Sequence, residues 1–284
     1  MTEAEVIIVD GIPEEDFTRI VKASIEYAVI SLPFTVNRMS IGGLTTRIEN
    51  TAKGKISEGL LEFFCRANSI TLDFESCTTP FYTIDRRDFL FNGLEWDQKN
   101  NFLYHASEIY NGAYTTLPAL VPDRFSNDQW DKRTHREFDR SSDVGFVFTF
   151  MKAANLSGSQ RGHPFLSIGL SDKQVELIRR AWTKYQGRPQ SEAPFSESKF
   201  WEEMSKLGEG APYSYELGFR PNLVITSYAS SQHWPLFNST PGKKFAEGTI
   251  WTKIVNQSCV ISALPSFLSL LPQLRQGMAH GRLT

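Results

Sequence analysis

Phe17, Ile20, Val21, Ile25, Ala28 and Val29 recur at steps of three and four residues, the spacing of one helix face, and predict a buried helix over 14–31. Pro13 suits helix entry, because its fixed φ matches the first turn, and Pro33 stops the helix. Residues 34–52, with Gly42-Gly43 inside, hold no sustained period and read as irregular. A second stripe, Ile56, Leu60, Phe63, Phe64 and Ala67, bordered by Leu61, predicts a helix over 53–68. Strands are then expected over 69–77, near 80–84, and in a hairpin over 87–101. Residues 104–142 read as a charged loop, 145–152 as a strand and 155–163 as a loop. Ser171-Asp172 caps a helix reaching 186, and Ser196 begins another reaching 207. Residues 222–228 and 249–262 read as strands, and Pro265 opens a last helix to 275. Helices alternating with meandering strands imply an α/β protein with a central mixed sheet flanked by helices. No linker divides residues 1–284, so one domain is expected.

The stretch Arg86 to Lys99 carries the most chemistry. Asn92-Gly93 lies between two β-prone runs, the signature of a two-residue type I′ turn, which needs φ > 0 at both central positions. With that turn, Phe91 opposes Leu94, Phe89 opposes Trp96, Asp88 opposes Asp97 and Arg86 opposes Lys99. One face holds Phe89, Phe91, Leu94 and Trp96, a core face; the other holds Arg86, Asp88, Asp97 and Lys99, with Glu95 nearer the turn. Opposed carboxylates with Cβ atoms about 5 Å apart repel and require compensation. A hard divalent cation supplies it, and Lys99 follows about 7 Å along the same face.

The chain has 284 residues and a net charge of −2, so it lacks the global positive charge of a non-specific DNA coater. A local basic cleft is compatible with that sum. Cys65, Cys77 and Cys259 form no CxxC pair, which argues against a disulfide scaffold or structural zinc and for reduced thiols. With an acidic N-terminal stretch, no signal-type h-region and no long apolar run, a cytoplasmic protein without membrane contact is expected. There is no Walker loop, GxGxxG or HExxH, and Ser227 with His233 lacks a third group at recognisable spacing.

Asp88…Asp97-Gln98-Lys99 resembles the PD-(D/E)XK nuclease motif shared by type II restriction endonucleases and related repair and transposition nucleases. Two departures are visible: Arg87, not proline, precedes the first acid, and the second acid is Asp rather than the commoner Glu. The resemblance implies a restriction-endonuclease-like fold with a catalytic core over 53–101 and later strands completing the sheet. It implies Mg²⁺ held by Asp88 and Asp97, Lys99 acting on the attacking water or the phosphoryl charge, and a helical glutamate, Glu58, joining the site. Asp85 is the alternative first acid if a bulge shifts the register. The implied activity is hydrolysis of double-stranded DNA by a homodimer cutting a palindrome, with a companion DNA methyltransferase acting on the same site. Alternatives are a repair, transposition or other defence nuclease of the same superfamily, or a non-catalytic DNA-binding protein with a degenerate site. DNA contacts are expected mainly from 104–165 and the C-terminal half; candidate contacts are Arg47, Lys53 and Lys55 before and within the second helix, Arg133 and Arg136 in the charged loop, and Arg161 and His163 in the glycine-flanked loop.

Overall fold

The computed structural model describes the chain apart from residues 36–42, 84, 86, 106–112, 125–142, 156–162, 243, 246–249, 253 and 272–284. Its elements run β1 (Ile7–Val9), α1 (Glu14–Ser31), α2 (Leu44–Ala67), β2 (Phe89–Phe91), β3 (Leu94–His105), β4 (Pro118–Arg124), β5 (Gly145–Asn155), β6 (His163–Pro164) and β7 (Leu166–Gly169). There follow α3 (Asp172–Tyr185), α4 (Glu197–Leu207), β8 (Ser214–Leu217), β9 (Leu223–Ala229), β10 (Asn238–Thr240), β11 (Lys244–Phe245), β12 (Ile250–Trp251) and β13 (Val255–Val260).

The periodic segments behave as their patterns predict. Val21, Ile25, Ala28 and Val29 are fully buried on α1. Ser171 starts α3 with a reciprocal cap: its hydroxyl accepts the Gln174 N–H at 3.2 Å while the Gln174 side chain accepts the Ser171 N–H at 2.8 Å. The differences have local causes. Helix α2 begins at Leu44, inside the stretch read as irregular, because Ile48 and Ala52 extend its buried side beyond the stripe. Lys53 and Ser57 also lie buried on it, so polar residues interrupt the apolar period. In place of strands over 69–77 and 80–84 there is an isolated bridge from Asp73 to Leu90 and a 3₁₀ turn at Glu75–Cys77. The Asp73 carboxylate accepts the Ser76 N–H at 2.9 Å and hydroxyl at 2.6 Å, which bends the backbone out of an extended path. Strand β4 lies within the segment read as loop; Pro118 and Pro122 hide its signal. Of the last expected helix, a 3₁₀ turn at Phe267–Leu270 is seen, and its end lies outside the described residues.

The central sheet is mixed, ordered β1-β9-β5-β3-β2, with β6 added on β5. Strands β3 and β5 run parallel and the other pairs antiparallel. Alternation along β5 divides the core. Val147 and Met151 join α1 and α2 on one face; Phe146, Phe148 and Phe150 pack on the other, toward β4 and the segments after β9. Helices therefore cover one face, and the small sheet β10-β13-β4 accompanies the second core. Among the described residues no helix is long and apolar enough to cross a membrane.

Candidate metal centre

Asn92 and Gly93 have φ of 52° and 75°, as a type I′ turn requires. The hairpin pairs Phe91 with Leu94, Leu90 with Glu95 and Phe89 with Trp96. The ladder then departs from simple alternation: the Asp88 N–H donates to the Trp96 carbonyl at 2.9 Å, so residues 88 and 89 both face Trp96 in the manner of a bulge. Strand pairing stops there, and no Asp88–Asp97 rung forms. The bulge keeps two acids from sitting directly opposite each other. The Asp88 carboxylate instead accepts the Gln98 N–H at 2.6 Å, capping the edge of β3 that β2 leaves uncovered. The expected Arg86–Lys99 pairing lies outside the described residues.

Helix α2 is fastened to the same place by a buried polar network. The Gln98 side-chain amide donates to the Ser57 hydroxyl at 2.7 Å and the Thr149 hydroxyl at 2.9 Å, and Thr149 donates to Asn100 at 3.1 Å. Fixing Ser57 fixes its neighbour, Glu58. Carboxylate oxygens of Glu58, Asp85 and Asp88 lie within 4.8 Å of one another. The Lys55 ammonium bonds to Glu58 at 2.5 Å and to Asp85, and rests 5.0 Å from the centroid of the Tyr27 ring, whose hydroxyl donates to Asp85 at 3.4 Å. Asp97 is paired with Lys99 at 2.7 Å and lies 3.8 Å from Arg87, which also meets Glu95 at 3.5 Å. A pocket of roughly 290 Å³ opens onto Tyr27, Lys55, Glu58, Asp85, Arg87 and Asp88.

Burial pushes the Glu58 carboxyl up to about 7; Lys55 draws it back, and Asp85 and Asp97 repel it further upward. Burial, then repulsion by Glu58 and Asp97, holds Asp88 well above the usual carboxylate range. For Lys55 the cost of burial is outweighed by Glu58, Asp85 and Asp88, which raise it. A stability prediction follows from the sign of the Glu58 shift. Unfolded, Glu58 ionises near 4.5; folded, it keeps its proton to about 7, so stability falls as pH rises through that window. The loss is at most about 3 kcal/mol. In EDTA the melting temperature is expected to drop between about pH 5 and 7.5, with Glu58→Gln flattening the slope and Mg²⁺ restoring stability at the upper end. A melting temperature level across that range in the wild type would contradict this account of the acids.

Three carboxylate oxygens this close could serve as ligands of a hard divalent cation. No protein-family model matches the chain, and no curated protein or solved structure matches it significantly.

Of the residues singled out from sequence, Glu58 and Asp88 meet, and Asp85, the alternative first acid, joins the cluster together with Asp88. Asp97, expected as the second metal ligand, is not one of the three acids that meet; on the face of β3 opposite Gln98 it pairs with Lys99, whose ammonium lies 5.6 Å from the centroid of the Phe146 ring. Lys55 is engaged within the cluster. Arg47 stacks on Trp182, its guanidinium 4.0 Å from the ring centroid, and donates to the Thr35 carbonyl at 3.2 Å; burial lowers it to about 10. Lys53 is buried with its ammonium 5.9 Å from the Phe165 ring centroid, and burial lowers its pKa. Arg133, Arg136 and Arg161 lie outside the described residues; His163 pairs with Asn155 through its backbone. His233 accepts the Ser230 N–H at 3.0 Å, while Ser227 is fully buried. Sequence reasoning missed Tyr27, Arg87 and Gln98. Gln98 had a readable signal, since alternation puts a polar side chain on the core face of β3; Tyr27 reaches the site from α1, far away in sequence, and had none.

Proposed function

We propose that this chain is a metal-dependent endodeoxyribonuclease of the PD-(D/E)XK kind, hydrolysing phosphodiesters of double-stranded DNA, most closely in the manner of a type II restriction endonuclease. The observation that carries the reading is the meeting of a helical glutamate with two acids leading into a hairpin, whose second strand carries an Asp-x-Lys ion pair. The donor set is all carboxylate oxygen, which suits Mg²⁺, and Glu58, Asp85 and Asp88 are the residues that would hold it. Such an ion would neutralise phosphoryl charge and lower the pKa of a bound water.

The chain's own residues divide the remaining work. Asp97, itself 3.8 Å from Arg87, holds the Lys99 ammonium at 2.7 Å, and that ammonium orients the attacking water or meets the charge growing on the phosphate. Gln98 holds α2 and β3 in fixed relation, which keeps Glu58 aimed at the reacting centre. A C2 homodimer would match the two strands of a palindromic site, and a methyltransferase of the same specificity would protect the host copies.

The test is incubation of mixed-sequence duplex DNA with the protein and Mg²⁺, followed by sequencing of the ends. Discrete ends sharing one sequence, abolished by EDTA and by Asp97→Ala or Lys99→Ala, are expected. Cleavage dependent on DNA structure and not sequence would move the assignment to a repair nuclease. Binding without any cleavage would move it to a degenerate site, and cleavage undiminished in both variants would remove Asp97 and Lys99 from the chemistry.

A further inference from the structure

Among the cations of the described residues, Lys55 is set apart by where it lies. It comes from the same helix as Glu58, three residues earlier, and its ammonium contacts two of the three clustered carboxylates at once. The side chain is mostly shielded, at 22% exposure. Tyr27 holds it from α1: the ring lies beneath the ammonium, and the hydroxyl bonds to the same Asp85 carboxylate. Asp88, the third acid, is engaged instead by the Gln98 N–H. The ammonium thus stands where charge neutralisation is most needed, and on the carboxylates a divalent ion would use.

We propose that Lys55 is an internal counter-cation that competes with the metal, so that filling the site requires the ammonium to give up Glu58 and Asp85. This rests on the metal-dependent reading above. Three carboxylates this close cannot all stay ionised without a cation. The tethered ammonium meets part of that need without metal, at Glu58 and Asp85, and a divalent ion gains the site only by its larger charge and its oxygen coordination. Because both cations bind the same carboxylates, each weakens the other's hold by the same factor. Lys55 consequently sets the metal concentration at which the site loads, a positioning role separate from contact with DNA.

The experiment is calorimetric titration of Mn²⁺ into the full chain, comparing wild type with Lys55→Gln and the charge-conserving Lys55→Arg, alongside melting curves in EDTA and in Mn²⁺. Lys55→Gln is expected to bind Mn²⁺ at least about tenfold more tightly than wild type and to be stabilised more by the ion, while Lys55→Arg stays near wild type. If wild type binds Mn²⁺ and Lys55→Gln binds no more tightly, the competition is overturned and the metal centre stands. If none of the three binds Mn²⁺, both readings fall. Should Lys55→Gln not fold, the wild-type protein decides: the Lys55 ¹⁵Nζ resonance, assigned by its loss in Lys55→Arg, shifts as Mg²⁺ saturates the site, and an unmoved resonance at saturation overturns the proposal.

Discussion

Asp88→Asn is expected to lower Mg²⁺-dependent DNA cleavage by roughly 10²–10³-fold and, in EDTA, to raise the melting temperature. The two effects have one cause. Asp88 is an acid among acids, pushed well above its usual range by burial and by Glu58 and Asp97, so its charge is a burden on the metal-free fold. The asparagine carbonyl can still accept the Gln98 N–H that Asp88 accepts at 2.6 Å, so the edge of β3 keeps its cap. What the variant lacks is negative charge for the metal. A gain of about 1 kcal/mol corresponds to some 2–4 °C for a chain of this class. Cleavage assays and melting curves on one preparation test both halves. Retained cleavage would exclude Asp88 as a ligand, and a lowered melting temperature in EDTA would show that its charge supports the fold.

Trp96→Ala is expected to cost about 3–5 kcal/mol, a large part of the 5–15 kcal/mol typical of a folded domain. Trp96 is 3% exposed, stacks on Phe89 at 6.3 Å and meets Phe91 at 6.2 Å and Tyr228 at 5.8 Å. Its indole N–H donates to the Phe91 carbonyl at 3.2 Å. It also fills the space over Gly145, where a Cβ would lie 2.3 Å from the ring. Removing the ring opens a cavity, loses the indole hydrogen bond and loosens the rung that precedes Asp97. Urea unfolding checks the magnitude; a change below about 1 kcal/mol would mean that neighbouring aromatic rings close the gap.

The hairpin was legible because an Asn-Gly turn fixes register within a few residues, and everything as far as the Phe89–Trp96 pair followed from it. One step further on, the sequence no longer decided: repulsion between adjacent acids and the bulge at residue 88 are cooperative matters of where the β2 backbone leaves the sheet. That step is what admits both Asp85 and Asp88 to the cluster, two residues that the sequence presented as alternatives. Glu58 looked like part of a solvated helix face, since nothing near it in the chain reveals that Gln98 draws Ser57 onto the sheet. Helices α1, α3 and α4 were readable because each has one clean amphipathic or capped pattern; α2 was read short because its neighbours bury it on several sides, polar positions included. The pairing of β4 with β13 joins segments more than a hundred residues apart, which local periodicity cannot express.

The central sheet also carries a timetable. Val9 of β1 pairs with Leu223 of β9, and β9 is the strand joining β1 to β5 and hence to the acid-bearing hairpin. Closing so long a loop is entropically slow and cannot be completed on a chain that ends before Ala229. At ribosomal rates of about 5–20 residues per second, roughly 7–26 s separate the synthesis of Asp97 from that of the strand that completes its scaffold. A growing polypeptide therefore holds Glu58, Asp85 and Asp88 well before it has the frame beneath them, and the three acids share a finished sheet only after Ala229 has been made.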